Sequence, residues 1–157
     1  MTETNKQEKA LIFIKPDGMA NKAAIKEMLY EKVPGLQTFA DKIIRLTREQ
    51  VERHYAHHAN KPFFNDLVEF IISEDINLII VEGRDAINRI RDAVGATDPA
   101  QADKGTIRNT FGESKVLNVM HASDSVENAL KEIANLFFNT LELKTDEQIN
   151  EALSKVA

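Results

Sequence analysis

A histidine sits in the run Asn118-Val119-Met120-His121-Ala122-Ser123-Asp124-Ser125. Residues 116–120 read as a buried strand, and Asp124 with Glu127 three residues on reads as a helix start. An imidazole at such a junction is held firmly, yet reaches a cleft. Neutral imidazole is a competent nucleophile toward phosphoryl groups. The N-terminus of the following helix offers N–H groups to phosphate oxygens. Glu132, two turns into that helix, can orient the ring through its second nitrogen, directly or through Ser123. The spacing alone leaves a purely structural histidine open.

Other residues have charges or faces that fit the same chemistry. Lys15 ends an apolar run at Lys15-Pro16-Asp17-Gly18, where an ammonium can meet a phosphate as a point charge. The glycine spacing of a P-loop is absent. Arg91 and Arg108 flank an irregular segment that carries Thr97. Two guanidinium groups and a hydroxyl suit the spread charge of a transferring phosphoryl group. Each of these cations also reads as an ordinary surface residue. In Phe63-Phe64, Phe64 fits a core stripe and Phe63 does not, which leaves Phe63 as an exposed face on which a base can stack. His54, His57 and His58 share helical spacing. No neighbouring carboxylate or thiol completes a ligand set, so they read as a solvated helix face and no metal site is expected.

The elements that must position these groups alternate along the chain. Residues 10–14 form a short β-branched run that reads as a strand buried on both faces. Ile25, Met28 and Leu29 mark a helix that Pro34-Gly35 breaks. Residues 39–46 read as a more polar edge strand. Thr47 with Gln50 has the form of a capping box. Asn60 and Pro62 open a helix with the stripe Phe64, Leu67, Val68 and Ile71. Residues 76–81 are a third strand, and a helix from about Asp85 ends before Gly95. Residues 96–115 are irregular, and loops of that length are often functional. The last core helix carries Val126, Ala129, Leu130, Ile133 and Phe137. The order β-α-β-α-α-β-α-loop-β-α predicts an α/β (α+β) ferredoxin-like sandwich, a four-stranded antiparallel sheet covered by helices. We expect one domain over residues 1–157, with a core of about 9–138 and a C-terminal extension at 139–157. In that extension Ile149, Ala152, Leu153 and Val156 fall on one helical face, which packs on the domain or on a neighbouring subunit.

A length of 157 residues with 43% hydrophobic content supports a single sizeable core. The net charge of −5 argues against a fold-wide basic surface for nucleic acid. With no cysteine there is no disulfide framework and no thiolate chemistry. The first nine residues hold no apolar signal core, and no apolar run approaches the ~20 residues of a membrane helix. The expected setting is cytoplasmic, without nucleic-acid or membrane partners.

Several short motifs fall in register from Lys15-Pro16-Asp17-Gly18 onward. They are His54-Tyr55, Pro62-Phe63-Phe64 followed by Leu67, Val81-Glu82-Gly83, Gly95-Ala96-Thr97-Asp98-Pro99, Gly105-Thr106-Ile107-Arg108 and the histidine run ending at Ser125. Over about residues 9–138 the sequence resembles the nucleoside diphosphate kinases. The resemblance implies that a nucleoside triphosphate gives its γ-phosphate to His121 and that a second nucleoside diphosphate takes it, by a ping-pong route. It implies that Lys15, Tyr55, Arg91, Thr97 and Arg108 surround the phosphates, and that Asn118 and Lys15 hold the sugar hydroxyls. Phe63 would stack on the base with Leu67 beside it, and Ser123 and Glu132 would support the histidine. It further implies Mg²⁺ carried by the nucleotide phosphates, ATP and other nucleoside tri- and diphosphates as substrates, and a homo-oligomer. The chain departs from the family at Ala122, where Gly is usual, and at Asn21-Lys22-Ala23-Ala24-Ile25, where an Arg-Gly pair is usual. Lys115 stands where an apolar residue often covers the base, and residues from about 139 do not match the usual ending.

Overall fold

The computed structural model describes residues 6–156. In chain order it has β1 (Gln7–Ile14), a 3-10 turn (Pro16–Asn21), α1 (Lys22–Lys32), β2 (Gln37–Ile44), α2 (Arg48–His54), a 3-10 turn (Ala56–His58) and α3 (Phe64–Ile72). Then come β3 (Ile76–Arg84), α4 (Ala86–Val94), α5 (Ile107–Phe111), β4 (Met120–Ala122), α6 (Val126–Glu132), a π-helical turn (Ile133–Phe137) and α7 (Asp146–Ser154).

The last six residues of β1 are all buried, so this strand needs cover on both faces. Side chains alternate across a strand, and the two faces feed separate cores. Leu11 and Phe13 join Leu78 and Ile80 of β3 under α2 and α3. Ile12 and Ile14 join Ile79 and Val81 under α1 and α4. The sheet order is β2-β3-β1-β4 with every neighbour antiparallel, the expected ferredoxin-like arrangement. As its polarity predicted, β2 lies at an edge, and it leaves Phe39 and Ile43 exposed. Among the described residues no helix is long and apolar enough to cross a membrane.

The Thr47 capping box forms as expected: its hydroxyl accepts from Gln50 N at 3.1 Å, and Gln50 Oε1 accepts from Thr47 N at 3.0 Å. Gly95 ends α4 at φ +93°, and a Cβ there would meet Thr106 Oγ1 at 2.6 Å, so only glycine fits. Four expectations need correction. The segment 96–115 is not wholly irregular, because Thr106 caps the short helix α5 by accepting from Asn109 N. The strand expected at 116–120 forms instead at Met120–Ala122. The Asn118 amide bonds the carbonyls of Lys115 and Thr97, which folds the preceding backbone into a loop, and Val119 then breaks the extended path at φ 68°. The cap of α6 is Ser125, not Asp124, and Val126 is exposed rather than part of the stripe. Past Glu132 the helix widens into the π-helical turn, closed by Phe138 N donating to Ile133 O.

The extension packs on its own domain. Thr145 and Gln148 form a second capping box, and Ile149 and Leu153 of α7 are buried in the core that holds Phe13, whereas Val156 stays exposed. Lys9, 2% exposed, ties this helix to the sheet by donating to Glu82 Oε1 at 3.0 Å and Asp146 Oδ1 at 2.8 Å.

Candidate functional site

Antiparallel pairing sets Phe13 opposite His121, and the two rings stack with centroids 5.0 Å apart. His121 Nε2 lies 3.0 Å from Glu132 Oε2. Ser123 Oγ accepts from Leu11 N at 3.0 Å and donates its proton to Glu132 Oε1. A carboxylate can only accept here, so the histidine proton is assigned to Nε2 and Nδ1 keeps its lone pair. Glu132 is the last residue of α6, just before the π-helical turn. That turn is clamped to α2: Gln50 Nε2 donates to Asn135 O at 3.0 Å, and Asn135 Nδ2 donates to Gln50 O at 2.9 Å. These two bonds fix the first turn of α2 against the π-helical turn that follows Glu132.

The chain enters β4 through a strained residue. Val119 is β-branched and sits in the left-handed region, which costs on the order of 1–3 kcal/mol. Its O accepts from Lys15 N at 2.8 Å, and its N donates to Asp17 Oδ2 at 3.0 Å. Gly18 makes room for it, since a Cβ there would be 2.7 Å from Val119 O. Burial pushes the Asp17 carboxyl above the usual range, against the pull of Lys15. Ala122, by contrast, lies in the strand outside the left-handed region, so a side chain there costs no backbone strain.

Lys15 and Asn118 are 5% and 4% exposed. Lys15 Nζ donates to Asn118 Oδ1 at 2.8 Å and to Val116 O. Burial lowers the pKa of this ammonium to about 8, with Asp17 opposing and Arg108 assisting the shift. Arg108 Nη1 donates to Gly95 O at 3.1 Å and Nη2 to Met120 O at 2.7 Å, beside the histidine. Its Nε has no partner among the described residues. Burial lowers its pKa, yet arginine stays charged. Burial also pushes the Tyr55 phenol up, so it remains a neutral donor.

These groups face one cleft of about 1700 Å³. Of the residues singled out in the sequence, Lys15, Tyr55, Phe63, Leu67, Arg91, Thr97, Arg108, Asn118, His121 and Glu132 line it. Ser123 lies beneath, 1% exposed. Arg91 and Thr97 are exposed on the rim. Phe63 is 41% exposed, with the His58 ring 5.3 Å away, whereas Leu67 is buried. Val116, exposed next to Lys115, also lines the cleft and was not singled out in the sequence.

His54 is a correction. It is not on a solvated face: its side chain is 6% exposed, and its ring lies 4.5 Å from that of His121, edge-on. His54 Nδ1 is 4.0 Å from Glu132 Oε2. Burial, helped by the neighbouring histidines, holds its pKa well below the usual value, so it is neutral. His57 does lie in solvent and His58 is half-buried. The carboxylate partner that sequence spacing failed to find is Glu132, on a different helix. The available signal was the place of His54 beside Tyr55 in the shared His-Tyr pair.

Residues 8–143 match the family model for nucleoside diphosphate kinase. The nucleoside diphosphate kinase of Helicobacter acinonychis is 43% identical over 136 residues, covering 87% of this chain and 98% of that protein. The apo nucleoside diphosphate kinase of Encephalitozoon cuniculi superposes with a TM-score of 0.77 at 37% identity, over 88% of this chain and 90% of that one. A halophilic nucleoside diphosphate kinase from Halobacterium salinarum, solved with CDP, superposes with a TM-score of 0.77 at 35% identity, over 94% and 99%.

Proposed function

The chain belongs to the nucleoside diphosphate kinase family and is a phosphotransferase of that kind, and we propose that it carries the travelling phosphate on Nδ1 of His121. The observation that supports this most is the 3.0 Å contact between His121 Nε2 and Glu132 Oε2, which leaves Nδ1 free to attack. Nδ1 donates its lone pair to the γ-phosphorus of a magnesium-bearing nucleoside triphosphate. The bond from that phosphorus to the bridging oxygen breaks, and its electron pair stays on the departing diphosphate. The positive charge that develops on the ring is opposed by Glu132 through the Nε2–H bond. A second nucleoside diphosphate reverses the same step, so the kinetics are ping-pong.

The transition state of phosphoryl transfer is loose and asks mainly for positioning and positive charge. Arg108 sits beside the nucleophile through its bond to Met120 O, with Lys15, Arg91, Tyr55 and Thr97 on the same cleft. Lys15 and Asn118, bonded to each other, are proposed to exchange that bond for the ribose hydroxyls. The halophilic relative was solved with CDP, which supports nucleotide binding by this chain. Phe63 and Leu67 would take the base by stacking, which does not read base edges and so admits many bases. Ser123 supports the reaction through Glu132.

We further propose that the catalytic unit spans about residues 9–138, that residues 139–157 brace it, and that the chain forms a homo-oligomer. The open edge of β2, with Phe39 and Ile43 exposed, supports self-association. We also propose a cytoplasmic setting, and the net charge of −5 argues against a nucleic-acid partner. The test is incubation with γ-labelled ATP and Mg²⁺, before and after GDP, for wild type and His121→Ala. Acid-labile, alkali-stable label on wild type alone, discharged into GTP, is the expected result. No label on folded wild type, or equal label on His121→Ala, would refute the assignment.

A further inference from the structure

We propose that His54, His121 and Glu132 form a site for a divalent transition metal such as Zn²⁺, and that its occupation turns the histidine nucleophile off. One ligand atom from each residue lies within 4.8 Å of the others, with Nε2 to Oε2 at 3.0 Å and His54 Nδ1 to Oε2 at 4.0 Å. Tetrahedral zinc with bonds of about 2.0–2.2 Å sets its ligands about 3.3 Å apart. The triad therefore needs to close by no more than about 1.5 Å at its widest, a movement that small ring rotations supply. Two imidazoles and one carboxylate suit zinc or its neighbours, whereas Mg²⁺ demands oxygen ligands.

A second observation points the same way. The His54 side chain is 94% buried (6% exposed) and makes no hydrogen bond among the described residues. Glu132 Oε2 stands beyond hydrogen-bond reach of His54 Nδ1 at 4.0 Å. The surroundings resemble the outer support of a metal centre: Ser123 holds the second Glu132 oxygen, and the Phe13 and Tyr55 rings box His54 at 5.6 and 4.6 Å. Three protein ligands leave a fourth position for water.

The consequence for activity rests on the phosphohistidine reading. A metal on Nε2 displaces the proton there, and a neutral imidazole then carries its proton on Nδ1. The nitrogen assigned to attack becomes the one that is blocked.

The test begins with metal-stripped full chain and no nucleotide. Calorimetric titration with Zn²⁺, and visible absorption on adding Co²⁺, should report one tetrahedral metal per chain. His54→Gln should weaken Zn²⁺ binding at least tenfold, while the double variant His57→Ala/His58→Ala should not. Zn²⁺ should then slow labelling of wild type by γ-labelled ATP and Mg²⁺ at least tenfold, reversed by a chelator. In His54→Gln the ratio of rates with and without Zn²⁺ should be near one. No stoichiometric binding, unchanged binding in His54→Gln, or loss that follows His57 and His58 would overturn the site. Binding that depends on His54 without slower labelling would overturn the switch. A metal-free wild type that never takes label would sink the kinase reading instead, and the titrations would still decide the site.

Discussion

Glu132→Gln keeps the shape of the side chain that grips His121 and removes its charge. In wild type, Glu132 accepts from His121 Nε2 and from Ser123 Oγ. The amide can accept from Nε2 and donate to Ser123, whose proton then turns to Leu11 O at 3.1 Å. It can equally flip, accepting from Ser123 and donating to Nε2. Both arrangements close the network, but only the first leaves Nδ1 free. Exchanging a charge-assisted hydrogen bond for a neutral one costs about 1.3 kcal/mol. Sharing two tautomers of similar energy adds RT ln 2, about 0.4 kcal/mol. The sum predicts a rate of phosphohistidine formation about 20-fold lower. Glu132→Ala removes the acceptor altogether and should cost about 10²–10³, by comparison with loss of one preorganised group in an oxyanion hole. Rapid quench with γ-labelled ATP measures both rates, and ¹⁵N shifts of His121 report the tautomer directly. If the Gln variant falls as far as the Ala variant, or if wild type already shows Nδ1–H, the reasoning fails.

Three further outcomes are expected. Phe63→Ala should raise KM about tenfold with kcat nearly unchanged, because stacking worth about 1–3 kcal/mol serves ground and transition states alike; a fall confined to kcat would contradict the stacking role. ADP affinity should be flat between about pH 7 and 8 and fall toward tenfold per pH unit above that, as free Lys15 loses its proton near pH 8. Calorimetry in buffers of different ionisation enthalpy should show proton uptake on binding there, and affinity flat to high pH would refute it. For folding the sign is opposite: between about pH 8 and the unfolded value of 10.5 the unfolded chain holds a proton the folded one lacks, so this group's contribution to stability rises with pH. Ile149→Ala empties a fully buried position and should cost about 2–5 kcal/mol, seen as a lower Tm, with phosphohistidine formation kept below the transition; an unchanged Tm would mean α7 does not brace the core.

The alternation of strands and helices was legible because buried β-branched runs and capping boxes are local signals. The misplaced fourth strand was not, since its start depends on the Asn118 amide reaching Thr97 and on Asp17 and Lys15 holding Val119 in a strained conformation. Both contacts join segments far apart in sequence. The charged groups of the site were nameable from residue type and the family resemblance, and the cleft gathers them. His54 was misread because helical spacing compares it only with His57 and His58, while its actual neighbours are Phe13, His121 and Glu132. The π-helical turn left no mark in the stripe that runs through Ile133 and Phe137.

The site residues are all synthesised by Glu132, yet the core beneath them is completed by Ile149 and Leu153 of α7, and buried Lys9 waits for Asp146. During translation, at about 5–20 residues per second, the sheet and most of the cleft lining emerge from the ribosome while that core still lacks its last cover. For that interval the part of this core that Ile149 and Leu153 cover is open to other chains. Stalling within residues 139–145 would therefore leave a chain that contains every site residue and is still prone to aggregate.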